Sequence, residues 1–101
     1  MSYSCKIIIR DDYVKTNGKC ALALQVIIDR KKFRIPIKLD VKPNQFNKIK
    51  GIVKAGNGMS KETAHDFNMI AKRELAKANE LGIRARLLDK NITKKEFLLK
   101  F

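Results

Sequence analysis

One hundred and one residues bound a single small domain, and a composition 45% hydrophobic and 33% charged is that of a globular chain. Lys and Arg number 23 against 10 Asp and Glu, a formal net charge of +13, so the surface repels itself unless a polyanion neutralises it. No apolar run approaches the roughly 20 residues of a bilayer span, and Ile7-Ile8-Ile9 is broken at once by Arg10-Asp11-Asp12, too early for a signal-peptide core; a cytoplasmic protein with no membrane partner is expected.

The first forty residues read as strands. Cys5, Ile7 and Ile9 alternate with Lys6, Ile8 and Arg10, which gives one apolar and one mixed face. Asp11 to Lys19 is a connection containing Asn17-Gly18, a strong hairpin-turn signal because both residues tolerate positive φ. From Cys20 to Asp29 a second strand puts Leu22, Leu24, Val26 and Ile28 on one face and Ala21, Ala23, Gln25 and Ile27 on the other. After a polar turn at Asp29–Lys32, Phe33, Ile35, Ile37 and Leu39 mark the core face of a third strand. Pro36 has no N–H to donate to a ladder, so this strand is expected at an edge.

Three antiparallel strands with one buried face need a lid. Ala55-Gly56-Asn57-Gly58 breaks the chain, Ser60 is a good N-cap with Glu62 in the first turn, and a helix is expected over about 60–90. Its apolar stripe runs Ala64, Phe67, Ile70, Ala71, Leu75, Ala78, Leu81, Ala85 and Leu88. Gly82 falls inside the stripe and marks a candidate break. Unbroken, the helix would be about 45 Å long and would overhang the sheet. Thr93-Lys94-Lys95-Glu96 is a capping box that opens a further helix. The expected fold is α+β: a three-stranded antiparallel sheet packed against one long C-terminal helix, within a domain over 1–90 (sheet 4–41), followed by a linker at 91–101.

Catalytic chemistry has no plausible residues here. The single histidine, His65, has no Cys or carboxylate cluster around it, and with Cys5 and Cys20 it shows no zinc-ligand spacing. Lys54-Ala55-Gly56-Asn57-Gly58 does not open into a phosphate-binding Gly-Lys-Ser element. The two cysteines set no disulfide framework, and Cys5, in a strand pattern, is expected as a buried reduced thiol. No catalytic residue, metal, cofactor or small-molecule substrate is therefore expected.

The charge itself is uneven. Residues 1–58 hold 13 basic and 4 acidic side chains, a net +9, whereas residues 59–101 hold 10 and 6, a net +4. Strand alternation puts Lys6, Arg10, Ala23, Gln25, Arg34 and Lys38 on the open face, with Lys31 and Lys32 at a turn beside it. Such a face can enter a B-DNA major groove, where Arg and Lys reach guanine edges or phosphates and Gln pairs with adenine. Arg10, Gln25, Lys32, Arg34 and Lys38 are the candidates for DNA contact, with Lys6, Lys31 and Lys50 as phosphate partners. Loop lysines 15, 19, 42, 48 and 54 are also placed for phosphate. Interleaved stacking aromatics are scarce on that face, which favours duplex DNA over single-stranded RNA. Alternatives remain: charges that only solvate one face, a small ribosome-associated RNA-binding module, or a protein-interaction domain using the helix stripe.

The stretch Gly18-Lys19-Cys20-Ala21-Leu22-Ala23-Leu24-Gln25-Val26, a basic turn, and then Ile35-Pro36-Ile37-Lys38-Leu39-Asp40-Val41-Lys42-Pro43-Asn44-Gln45-Phe46-Asn47 carries a pattern. With the basic Lys48–Lys54 segment and a helix bearing Asn68, it resembles the N-terminal arm-type DNA-binding domain of tyrosine recombinases (phage-integrase type) from mobile elements. The similarity covers about nine-tenths of the chain. It implies a sheet that binds arm-type DNA sites while the catalytic Arg, His and Tyr set belongs to a later domain. By the same resemblance, Thr93 marks the approach to a core-binding domain, and contacts with other recombinase protomers belong to a full-length protein. Phe46 stands where the family usually has Trp, the second turn lacks the usual Gly, and Gln25 stands where Arg is frequent.

Overall fold

The computed structural model describes residues 2–101. Strands β1 (Tyr3–Ile9), β2 (Cys20–Ile28) and β3 (Lys31–Val41) form one antiparallel sheet in the order β1-β2-β3. β2 therefore lies at the centre and Pro36 on an outer strand, where its missing N–H costs no ladder bond. The long connection before β2 closes on a turn in which the Lys15 carbonyl accepts from the Gly18 N–H, and of the Asn17-Gly18 pair only Gly18 takes positive φ (78°). The second turn is tighter. Ile28 pairs with Lys31, and Asp29 and Arg30 take φ of 48° and 70°, the backbone of a two-residue hairpin loop made without glycine.

Beneath the sheet the alternation is as expected: Ile7, Ile9, Leu22, Leu24, Val26, Ile28 and Phe33 are buried, while Ile35, Ile37 and Leu39 are half-buried against them. Cys20 is fully buried, whereas Cys5, expected to be buried, is only half so; both are free thiols. Cys5 lies on the outer strand β1, where packing closes on one side only.

The lid is α1 (Lys61–Leu87), a 27-residue helix whose N-cap Ser60 accepts from the Thr63 N–H. Ala64, Ala71, Ala78 and Ala85 repeat every seven residues and are buried, so the helix backbone approaches the sheet closely, chiefly over β1. Gly82 does not break it. The Tyr3 ring occupies the space where a side chain at 82 would go, with a Cβ built there 2.3 Å from Tyr3 Cε1, and the Tyr3 hydroxyl donates to the Ala78 carbonyl. Burial, followed by the Cys5 partner, pushes the Tyr3 phenol well above its ordinary pKa. Leu88 departs from the expected stripe: as the C-cap it is exposed. The helix ends there because Asp89 turns left-handed (φ 51°), with the Lys90 N–H donating to Ala85 O and the Asp89 N–H to Arg86 O.

The end of α1 stays partly exposed, at Ile83, Leu87 and Leu88, and a second helix lies beside it. Thr93 caps α2 (Lys94–Lys100) by accepting from the Glu96 N–H, and the helix turns back to bury Ile92 and Phe97 in the same core. Phe97 meets Phe33 edge-on at 5.5 Å between centroids and stacks on Phe101 at 5.2 Å. Residues 91–101, expected as a linker, thus contribute to the core of the sheet domain.

A second small sheet, β4 (Phe46–Asn47) with β5 (Ile52–Val53), was not expected from the sequence. Buried Gln45 pins its approach: its side-chain oxygen accepts from the Lys42 N–H and its amide donates to Asn57 O. Asn68 of α1 pins its exit, accepting from the Val53 N–H and donating to Val53 O, both at 2.8 Å. The side-chain amide thereby stands in for a neighbouring strand.

Candidate nucleic-acid interface

Pairing across the sheet builds the face row by row. Lys6 pairs with Gln25 and Gln25 with Arg34, so the three stand side by side across all three strands. The next row on one side is Ser4, Ile27 and Lys32; on the other it is Ile8, Ala23 and Pro36. Lys6, Lys32 and Arg34 are exposed. Gln25 is only 6% exposed, which makes it the floor between two long cationic side chains. Lys6, Gln25, Lys32 and Arg34 line a shallow groove whose far wall is Asp11 and Lys48.

Lys38 owes its position to an irregularity. Ala23 faces Pro36 but Ala21 faces Asp40, so Ile37, Lys38 and Leu39 all stand opposite Leu22. Lys38 takes φ of 60° and is exposed. Bulges of this kind re-aim side chains and occur next to functional sites.

The remaining candidates divide. Arg10 begins where β1 ends and is gripped by Asp12, with Nε and Nη2 both 3.1 Å from its carboxylate. That hydrogen bond raises the Arg10 pKa and holds the Asp12 carboxyl below the usual carboxylate value, with Arg34 adding a smaller attraction. Lys31 is in register with Ile28, beside Phe33, and so has the parity of the helix side, opposite to Lys32. The strand begins two residues earlier than the sequence pattern suggests, and that places Lys31 in it. Lys50 lies in the turn between β4 and β5, away from the sheet. Lys48, expected only as a loop contact, borders the groove and is paired with Asp11. The lysine spacing alone carried no signal for this, because it depends on the unforeseen β4–β5 hairpin.

The acids of this half of the molecule are committed at its periphery. Asp11 engages Lys48, Asp12 engages Arg10, and Asp40 engages Lys15, while Asp29 accepts from the Ser2 N–H. Among the described residues no ion pair engages Lys6, Lys32, Arg34 or Lys38. No group of three or more His, Cys, Asp or Glu among them could hold a metal ion, and no helix is long and apolar enough to cross a membrane.

An exposed basic face on a three-stranded sheet backed by a long helix is the architecture that the sequence resemblance implied. The arm DNA-binding domain family matches residues 7–98 of the 101. The chain belongs to this family. Arm DNA-binding domains are non-catalytic DNA-binding modules found in phage integrases, and this membership supports duplex DNA as the partner. No curated protein and no solved structure matches the chain significantly. Phe46, expected from the resemblance to be a core anchor, is 4% exposed.

Proposed function

We propose that this arm DNA-binding domain lays the open face of β1–β3 in the major groove of an arm-type site and tethers a site-specific tyrosine recombinase of a mobile element there. The observation that supports this reading best is the Lys6–Gln25–Arg34 row, whose two cations have no ion-pair partner among the described residues while Gln25 lies between them. Three strands about 4.8 Å apart span about 10 Å, which suits a groove about 12 Å wide. Arg34, Lys32 and Lys38 reach for base edges or phosphate on one side and Arg10 on the other. Gln25, recessed on the floor, contacts a base only when its neighbours part around the duplex. Lys6, Lys48 and Lys50 take phosphates, and Lys31, on the far parity, reaches only backbone beyond the strand end. Cutting and rejoining would fall to a separate catalytic domain, and recombinase protomers would meet through the full-length protein.

The test is fluorescence anisotropy with random 20-bp DNA, a matched RNA duplex and single strands, each across a salt series. Duplex DNA should bind best, with a log–log slope near −4 to −7, equivalent to about five to eight phosphate contacts. Alanine replacement of Arg10, Arg34 and Lys38 together should weaken binding and flatten the slope. Unchanged affinity in that triple variant would refute the sheet-face assignment, and a preference for the RNA duplex would turn the reading toward an RNA-binding module.

A further inference from the structure

Among the described residues nine large hydrophobic side chains are exposed, and six of them belong to α1, its C-cap or α2; the other three are Tyr13 (70%), Val14 (56%) and Ile49 (98%). Single exposed apolar residues are ordinary, but these three are not scattered. Tyr13 and Val14 lie on the loop that follows β1, Ile49 on the β4–β5 turn, and the two loops are joined by the Lys48–Asp11 pair, whose members wall the basic groove.

The exposure of Ile49 is built into the turn. Asn47 Oδ1 accepts from the N–H groups of both Ile49 and Lys50 at 3.0 Å, and the Gly51 N–H returns to Asn47 O at 2.8 Å. Gly51 makes the turn possible at φ 66°, passing so near β1 that an added Cβ would stand 3.4 Å from the Ile7 carbonyl oxygen. A β-branched side chain with few rotamers is thus held outward on a fixed backbone, so little freedom remains to be lost on contact. Lys48, which shares its charge with Asp11, and Lys50, which no ion pair engages among the described residues, flank it, and this positive flank favours a polyanion with an apolar surface between its charges. Duplex DNA has that surface in the deoxyriboses between its phosphates, and proteins that engage the minor groove use apolar side chains there.

We propose that Ile49, with Tyr13 and Val14, forms an apolar rim that packs against the deoxyriboses lining the minor groove, beside the major groove faced by the sheet. This inference rests on the duplex-binding reading above. The rim supplies contact that salt cannot screen, while the sheet supplies the charge.

The experiment uses the same random 20-bp duplex and salt series with Ile49→Ser, and with Lys50→Ala as the charge control. Ile49→Ser should weaken binding about tenfold, in line with the loss of one partly buried aliphatic contact. Its log–log slope should equal that of the parent protein, because an apolar contact releases no counterions. Lys50→Ala should flatten the slope by about 0.9. The melting temperature of Ile49→Ser should be unchanged, since the side chain touches nothing in the fold. Parent protein that binds steeply while Ile49→Ser binds equally well would overturn the rim and leave the sheet reading intact. A parent that does not bind duplex DNA would overturn both. Loss of binding to phosphatidylserine vesicles in Ile49→Ser, with DNA affinity intact, would assign the rim to a membrane surface and overturn its role on DNA.

Discussion

Replacing Gly82 by alanine separates two opposed effects at one atom. At an open helix position the change gains about 1 kcal/mol from backbone entropy. Here the new methyl would lie 2.3, 2.4 and 2.9 Å from Cε1, Cδ1 and Cζ of Tyr3, against the roughly 3.5 Å at which carbon atoms first touch favourably. The ring is held at both ends, because its hydroxyl is bonded to Ala78 O on the same helix and its centroid lies 6.4 Å from that of Phe97. Overpacking of this kind costs about 1–3 kcal/mol; a ring gripped at both ends belongs near the top of that range, so the net loss should be about 2 kcal/mol. For a domain of this size that lowers Tm by about 10 °C. Urea denaturation followed by far-ultraviolet circular dichroism measures it directly. A double-mutant cycle isolates the cause: in a Tyr3→Ala background, Gly82→Ala should become stabilising by about 1 kcal/mol, giving a coupling of about 3 kcal/mol. Gly82→Ala that is as stable as the parent, or more so, would refute the account of why glycine stands in the middle of α1.

Four further outcomes follow from the same geometry. Leu24, fully buried on the central strand, should cost about 2–5 kcal/mol when truncated to alanine, read from the same urea transitions. Asn68→Ala should cost about 1–3 kcal/mol by stranding the Val53 N–H and C=O, and hydrogen exchange should show lost protection at 46–53 before the main sheet opens. Tyr3 retains its proton in the fold at pH values where an unfolded tyrosine loses it, so this site's contribution to stability is complete below about pH 10 and is lost as pH rises through the folded value; in Tyr13→Phe protein, absorbance at 295 nm should rise only together with unfolding. Asp12→Asn removes the carboxylate gripping Arg10 and attracted by Arg34. Duplex affinity measured by anisotropy at 0.1 M salt should then tighten severalfold with a steeper salt slope, and weaker binding would show instead that Asp12 positions Arg10 for contact.

How much of this was readable in the sequence depends on the range of the forces involved. Period-two alternation in β1 to β3 and the Ser60 cap are local signals, and each element formed about where the pattern put it, with β3 starting two residues early and α1 ending at Leu87. Pro36 placed β3 at an edge for a reason that needs no partner. Signals that need a partner were not readable. Gly82 looked like a break because nothing in a helical stripe announces that Tyr3, 79 positions earlier, will lie across it. The β4–β5 hairpin has two-residue strands, too short for periodicity, and is held by Gln45 and Asn68 through tertiary hydrogen bonds. The site split in the same way. Lys6, Gln25 and Arg34 were placed on one face by parity alone, whereas Lys31 moved to the other because a two-residue turn started β3 early, and Lys48 joined the groove only through the hairpin.

The arrangement of opposite charges explains why a protein of this size can hold such a face without unfolding. Two cations on the outer strands of one row stand about 10 Å apart, where their repulsion in water is about 0.4 kcal/mol and is further screened at ordinary salt. The row is therefore tolerable to the fold. Carboxylates within it would remove the repulsion, but each would also take a cation from DNA and present a negative charge to phosphate. The structure places Asp11, Asp12 and Asp40 at the loops and strand ends, each on a peripheral cation, and leaves Lys6, Lys32 and Arg34 flanking a glutamine that carries no charge of its own. In the proposed sheet-face binding, a neutral floor between cationic walls would let the walls approach phosphates at no cost in like-charge crowding at the centre. Replacing Gln25 by Glu tests that logic: a carboxylate flanked by Lys6 and Arg34 would leave the fold at least as stable at neutral pH, while duplex affinity falls by more than tenfold. A Gln25→Glu protein that still binds DNA like the parent would mean that the duplex never approaches the centre of the sheet.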